Sequence, residues 1–301
     1  MFLAPSKIIA RWAFNIQDWN PSEEQYKKAL LFIQPEERDR IKRFKFFSDS
    51  KLALIGRLLM RFLFYRLYNI PWNEIKFGRT KENKPILIKP ESKPNDPIIY
   101  FNISHHGDWV VLVAAENCKI GIDVMKVEYP KKQTVQEFFE TLRDQFSDFE
   151  WNVITTPLQE IDQLHQFYRY WCLKESYVKA VGIGLALDLR TIEFHLPENE
   201  ERKNLSENVK TLKTDTELYI NNELEHQWKF EELYLDSLHC IAVSYSTLND
   251  VDAVKEGGFE KIDIEEILNS SKIPSPNFND YSELSELNQT FTKPILEQKS
   301  I

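Results

Sequence analysis

Cysteine is scarce in this chain: Cys118, Cys172 and Cys240 are the three in 301 residues. An odd number without close spacing excludes a disulfide framework and a zinc ribbon, and suits thiols kept in a reducing compartment. No run of 18 or more apolar residues occurs, so no membrane-spanning helix is expected. The opening MFLAPSKIIARWAF lacks a signal-peptide hydrophobic stretch, because Lys7 and Arg11 interrupt it. Low-complexity blocks and short tandem repeats are also missing. Positive charge is in deficit, with a formal net charge of -9 and a pI near 5.4, and no nucleic-acid recognition motif is present. What is there is 42% hydrophobic and 13% aromatic, enough for a real core. The expectation is a soluble cytoplasmic protein without membrane or nucleic-acid partners.

The hydrophobic pattern reads as two divergent copies of one α+β plan. A helix around 51–68 precedes IKF at 75–77 and the strand WVVLVAAE at 109–116; a helix around 165–181 precedes IEF at 192–194 and HCIAVSY at 239–245. RWAF at 11–14 is expected to correspond to WKFEELYL at 228–235. This order implies two similar α+β halves related by a pseudo-two-fold, residues 1–125 and 126–246, meeting near GIDVMK at 121–126. Residues 126–164 read as mainly helical, 197–226 as a polar surface excursion and 247–301 as a loosely ordered tail.

Several features carry chemistry. WCLKESYVKA at 171–180 sets Glu175 and Lys179 four residues apart on one helical face, where a carboxylate can hold a hard cation beside an ammonium that meets an oxyanion. The plain alternative is a surface pair worth about 0.2–0.5 kcal/mol. Asp123 in GIDV is a lone acid in an apolar run, costly to bury unless it is paired or binds a metal, and it is expected at a strand end. In FNISHHGDWVVLVAAE at 101–116, Ser104 to Asp108 interrupt two apolar runs and read as a polar loop between strands.

Basic residues crowd the stretch from Arg38 to Arg66, where Arg38, Arg40, Lys42, Arg43, Lys45, Lys51, Arg57, Arg61 and Arg66 face only Asp39 and Asp49. In an acidic chain that excess marks an anion site or an acidic partner, although Phe44, Leu54, Leu58 and Phe62 also give it the apolar side of an ordinary amphipathic helix. GRTKENKPIL at 78–87 is a polar turn carrying Arg79, Lys81 and Lys84. Trp72 and Trp171 read as core.

In order along the chain, RWAF, QPEERDRI, GRLLMR, NIPWNEI, GRTKENKP, FNISHHGD, GIDVMK and FYRYWCLKESYVKAVGIGL cover about residues 8–246 and resemble the 4'-phosphopantetheinyl transferases of the monomeric two-half type. The resemblance is strongest to the animal members serving fatty acid synthase and aminoadipate-semialdehyde dehydrogenase. It implies the pseudo-two-fold α+β fold, a monomer, and transfer of the 4'-phosphopantetheine arm of coenzyme A to a serine of apo acyl or peptidyl carrier domains, releasing 3',5'-ADP. It implies magnesium, with manganese as a second option, held by Asp123, Glu175 and a third group at His106. Glu175 would take the serine proton, directly or through a metal-bound water, and Lys179 would hold the pyrophosphate. Ser104, His105, Arg40, Arg79 and Lys84 would join Glu175 and Lys179 in binding coenzyme A.

Two departures stand out. Met125 occupies a position where bacterial relatives carry an acid and offers no hard oxygen donor. His106 stands where the animal members usually have glutamine, and imidazole suits magnesium poorly, so it binds through a water, favours manganese or does not ligate. The runner-up reading is therefore a non-catalytic module that binds coenzyme A or a carrier protein. A metallohydrolase built on His105, His106 and Asp108 lacks further downstream ligand spacing. Retention of Asp123, Glu175, Lys174 and Lys179 favours turnover.

Overall fold

In a computed structural model, the described residues are 6–93, 96–182, 184, 187–197, 211–246, 251–252 and 258–270. The chain opens with β1 (Ser6–Asn15), then α1 (Glu23–Leu31), α2 (Pro35–Lys42) and the long α3 (Phe47–Tyr68). A hairpin of β2 (Lys76–Arg79) and β3 (Pro85–Lys89) follows, then β4 (Ile99–His106) and β5 (Trp109–Glu116). The plan repeats with β6 (Ile120–Lys126), α4 (Val135–Leu142), α5 (Asp148–Thr155) and the long α6 (Glu160–Val181). A small sheet of β7 (Ile192–His195), β8 (Glu217–Ile220) and β9 (Glu223–Leu224) precedes β10 (Trp228–Tyr234) and β11 (His239–Ser246). Finally come β12 (Val251–Asp252), β13 (Glu260–Lys261) and α7 (Ile264–Ser270).

Local sequence sets the helix ends. Ser22 with Gln25, Thr134 with Glu137 and Ser147 with Glu150 form reciprocal capping boxes that start α1, α4 and α5. Asn69 at φ 51° ends α3 and Gly182 at φ 80° ends α6, each in the left-handed conformation that turns the chain out of a helix.

The strand order shows the repeat. β5 lies between β1 and β4, and β11 lies between β6 and β10, every pairing antiparallel. Thus β1 corresponds to β6, β4 to β10, β5 to β11 and the β2–β3 hairpin to β7–β8. RWAF in β1 is therefore the counterpart of GIDV in β6, and WKFEELYL belongs with β4; the expected match followed a shared Trp-x-Phe spacing that place in the sheet overrides. β6, where the sequence expectation divides the halves at 125/126, is hydrogen-bonded to β11. Part of the expected loose tail is ordered: β12 and β13 pair in parallel with β1, and Ile262, Ile264 and Ile267 are buried in the first-half core. The rest of 247–301 lies outside the described residues.

β5 explains how the halves join. Val110, Leu112 and Ala114 face the core under α3, while Val111, Val113 and Ala115 face Ile122 and Val124 of β6 and Ile241 and Val243 of β11. A strand buried on both faces reads as a continuous apolar run, which WVVLVAA is. Across the same junction Arg11 of β1 forms a buried bidentate pair with Glu231 of β10, with Nε 2.7 Å from Oε2.

Candidate active site

The two sheets meet along β4 and β6, and period-two geometry decides which side chains face the junction. Ser104, His105 and His106 lie on β4; the turn between the strands is reduced to Gly107 and Asp108, shorter than the polar loop expected. Asn102, Ser104 and His106 consequently reach β6 in step. The Ile122 N–H donates to Asn102 Oδ1 at 3.2 Å, Ser104 Oγ donates to Asp123 Oδ1 at 2.7 Å, and the Lys126 N–H donates to His106 Nδ1 at 2.8 Å. His105 faces the other way, into a cleft.

Asp123 sits in the middle of β6, not at a strand end. Helix α6 packs so closely on β6 that a Cβ at Gly121 would overlap the Ser176 carbonyl oxygen and the Ala180 nitrogen. That approach sets Glu175 and Lys179 over the strand. Lys179 Nζ donates to Asp123 Oδ1 at 2.6 Å and to Ser104 Oγ at 3.0 Å. Asp123 Oδ2 is buried without a hydrogen-bond partner. Glu175 has its pKa raised, by burial first and then by Asp123, with Lys179 opposing, so the two carboxylates share one environment.

Beside them opens a cleft of about 470 Å³ lined by Arg57, Arg79, Lys84, His105, Glu175 and Lys179, with Phe44, Met60 and Pro85 supplying apolar wall. Burial is the first cause lowering the pKa of Arg57, and the charges of Arg79 and Arg40 add to it against Glu37, which shows three guanidinium groups within electrostatic reach. Arg79 Nη1 donates to the Asn83 carbonyl at 2.8 Å, and Lys84 Nζ donates to the Lys179 carbonyl at 3.0 Å, tying the β2–β3 turn to the last turn of α6. His105 is pushed down to about 4, by surrounding protein first and then by Lys179 and Arg57, although its ring keeps an exposed face to the cleft. Arg57, Arg79, Lys84 and Lys179 make the cleft wall predominantly cationic, with Glu175 and, at the turn, Glu82 as acids on it.

A larger groove of about 670 Å³, between Gln34, Tyr65 and Trp72, lacks such a cluster. The Arg61 guanidinium beside it is engaged by the Trp72 and Ile75 carbonyls.

The structure thus brings Ser104, His105, Asp123, Glu175, Lys179, Arg79 and Lys84 together, with Arg40 near Arg79. It separates others. Lys174, counted among the retained site residues, is fully buried, bonded to Glu150 and to the Leu189 and Ile192 carbonyls. His106 does not fit the expected ligand role: with Nδ1 accepting the Lys126 N–H, a neutral ring carries its hydrogen on Nε2 and has no free lone pair. Arg38 and Lys51 bind backbone carbonyls, and Arg66 pairs with Glu260 and Glu266. Trp72 is core, as expected. In the sequence Arg57 stands out only as part of the basic stretch that marks an anion site or an acidic partner, and Asn102 was missed; the alternation of Asn102, Ser104 and His106 was the available signal for Asn102.

Among the described residues no three His, Cys, Asp or Glu side chains gather as a ready metal centre, and no helix is long and apolar enough to cross a membrane. A family model described as 4'-phosphopantetheinyl transferase, N-terminal, matches residues 17–117, and one described as 4'-phosphopantetheinyl transferase superfamily matches 119–244. The chain is 41% identical over 242 residues to L-aminoadipate-semialdehyde dehydrogenase-phosphopantetheinyl transferase of Homo sapiens, covering 80% of this chain and 76% of that one. To the protein of the same name in Xenopus laevis it is 34% identical over 278 residues, 90% of this chain and 89% of that one. To 4'-phosphopantetheinyl transferase Sfp of Bacillus subtilis it is 30% identical over 178 residues, 59% and 73%.

Proposed function

We propose residue roles for this cleft from one premise, that the chain belongs to the 4'-phosphopantetheinyl transferases. Members of this family use coenzyme A as co-substrate, and the chain transfers its 4'-phosphopantetheine arm to a serine of a carrier domain. The serine Oγ forms a bond to the β-phosphorus, the bond from that phosphorus to the bridging oxygen breaks, and 3',5'-ADP leaves with the electron pair. Such a transfer needs positioning and charge neutralisation more than covalent catalysis. The observation that carries the reading is the Ser104–Asp123–Lys179 cluster at the mouth of a cationic cleft, with Asp123 Oδ2 unpaired.

Asp123 and Glu175 fit a magnesium ion: one offers an orphaned buried oxygen, and the other is a neighbouring carboxylate whose pKa is raised by burial first and then by Asp123. Bound there, magnesium supplies positive charge to the pyrophosphate oxygens. Lys179 exchanges its contact with Asp123 for a phosphate oxygen. Glu175 accepts the proton of the serine Oγ. Arg40, Arg57, Arg79, Lys84 and His105 hold the phosphates, the arginines by paired N–H donors. His106 orients β4 against β6 and is not a ligand. The reading extends to carriers of the fatty acid synthase and aminoadipate-semialdehyde dehydrogenase type, and to a monomer working in the cytoplasm.

Following release of 3',5'-ADP from coenzyme A plus an apo carrier tests it. Release that requires added magnesium and is lost in Glu175→Gln supports these roles. Coenzyme A bound without release in either metal would leave a binding module.

A further inference from the structure

The last turn before β11 carries a cluster that the proposed roles do not use. His239 of β11 is buried at 2% exposure. Its Nε2 accepts the Asp108 N–H at 3.3 Å, and its Nδ1 lies 2.8 Å from Asp236 Oδ1. Because Nε2 is the acceptor, the neutral ring has its hydrogen on Nδ1 and donates it to Asp236. Asp236 is organised in turn: Oδ1 accepts the Leu238 and His239 N–H groups at 2.9 Å each, and Oδ2 accepts the Trp109 indole N–H at 2.7 Å.

The side-chain hydrogen bonds that His239 and Asp236 make beyond their own turn run to the other half, to Asp108 and Trp109, while the backbone beside them stays with its own half, where β11 pairs with β6 and the Leu238 carbonyl accepts the Val127 N–H at 2.7 Å. Gly107, at φ 61°, passes so close that a Cβ would overlap His239 Nε2. On its far side the same turn is held by the short 3-10 turn that follows β1 (Ile16–Asp18), where the Ile16 N–H reaches the Asp108 carbonyl and Gln17 Nε2 reaches Asp108 Oδ1, both at 2.8 Å. The turn is clamped between the halves, three residues from Ser104 and two from His105. Strand β4 transmits that placement directly, since a strand cannot shift at His106 without shifting the side chains two residues away.

We propose that His239, oriented by Asp236, is a positioning residue for coenzyme A: it fixes the Gly107–Asp108 turn and thereby the distance of Ser104 and His105 from Asp123 and Lys179. The proposal rests on the coenzyme A reading of the cleft. His239 touches no substrate, and its effect appears in ground-state binding of the phosphates.

The test separates the two bonds of one ring. His239→Gln keeps a carbonyl acceptor toward the Asp108 N–H, whereas His239→Asn keeps a donor toward Asp236 and loses that acceptor. Coenzyme A dissociation constants are measured by calorimetry with thermal unfolding of each variant, followed by KM for coenzyme A and for the carrier. His239→Asn is expected to weaken coenzyme A by about tenfold, with the carrier KM near that of the parent chain, and His239→Gln to restore most of the loss. Trp109→Phe, which removes the indole donor to Asp236 together with part of a buried ring, is expected to weaken coenzyme A in the same direction by more than its loss of thermal stability accounts for, keeping the test open if an Asn variant folds poorly. Equal affinities for parent and His239→Asn, or equal losses in Asn and Gln that follow thermal stability, would overturn the proposal alone. A parent chain that binds no coenzyme A would overturn the reading beneath it as well.

Discussion

Lys179 and Asp123 form an ion pair at 2.6 Å that joins the last turns of α6 to the middle of β6, and it leaves one carboxylate oxygen of Asp123 buried and unpaired. A buried carboxylate is costly without charge or hydrogen bonds around it. Here Ser104 and Lys179 satisfy Oδ1 alone, so Oδ2 is the atom of Asp123 left for a further partner. Cation at Oδ2 and phosphate at Nζ would each take what the pair leaves available.

Lys179→Met should therefore act in two ways. On the proposed roles it removes the charge that would meet the pyrophosphate, and the single-turnover rate is expected to fall by about 10²–10³-fold. It also leaves Asp123 with Ser104 as its hydrogen-bond donor, so coenzyme A affinity without added metal should fall. A variant retaining near-parent single-turnover rates would show that the ammonium has no part in the transfer.

Gly121→Ala tests how α6 is held on β6. The added methyl meets backbone of Ser176 and Ala180, which cannot rotate away, so the helix must lift. The expected cost is about 1–3 kcal/mol in urea unfolding, with turnover reduced more than the folded fraction because Glu175 and Lys179 move with the helix. Unchanged stability and rate would mean that the approach is looser than the backbone geometry shows.

Lys174 belongs to stability. It and Glu150 are buried together, and removing one partner of such a pair commonly costs about 3–5 kcal/mol. Lys174→Ala should unfold at much lower urea while turnover per folded molecule stays within a few fold. Loss of turnover at full stability would restore it to the site.

His165 gives an acid-side dependence. Burial pushes its pKa below the ordinary 6.5, with Asp162 opposing, and Nδ1 lies 3.1 Å from the Tyr234 hydroxyl. The native state then binds fewer protons than the unfolded state in the window below 6.5. Stability present above that pH is lost as pH falls toward the depressed value. His165→Gln should flatten the fall in unfolding free energy below about pH 6.5. His105 and His106, also depressed, keep some slope, and urea titrations at several pH values measure the difference.

Much of the fold was legible because its signals are local. The helical periodicity of α3 and α6 and the apolar run of β5 each mark an element, and their order gives the repeat. What pairs with what is not local: Trp-x-Phe occurs in both β1 and β10, and strand order alone tells them apart. The same holds at the site. Glu175 and Lys179 could be paired by their four-residue spacing, and Asp123 by its cost in an apolar run. That β4 extends through His106, turning a polar loop into a register of Asn102, Ser104 and His106 against β6, depends on long-range pairing. His106 then loses its lone pair to a backbone N–H twenty residues away, and Lys174, one residue from Glu175, turns inward to Glu150 on α5.

The central claim is that this cleft moves a phosphopantetheine arm using Asp123 and Glu175. Its most direct test is the intact mass of an apo carrier domain, known to accept the arm, after incubation with coenzyme A, magnesium and either the parent chain or Asp123→Ala, both verified as folded. The account expects the parent chain to add the mass of one 4'-phosphopantetheine group to the carrier serine, and Asp123→Ala to leave the carrier unchanged. A carrier that keeps its apo mass with the parent chain, or gains the arm equally fast with Asp123→Ala, would contradict it.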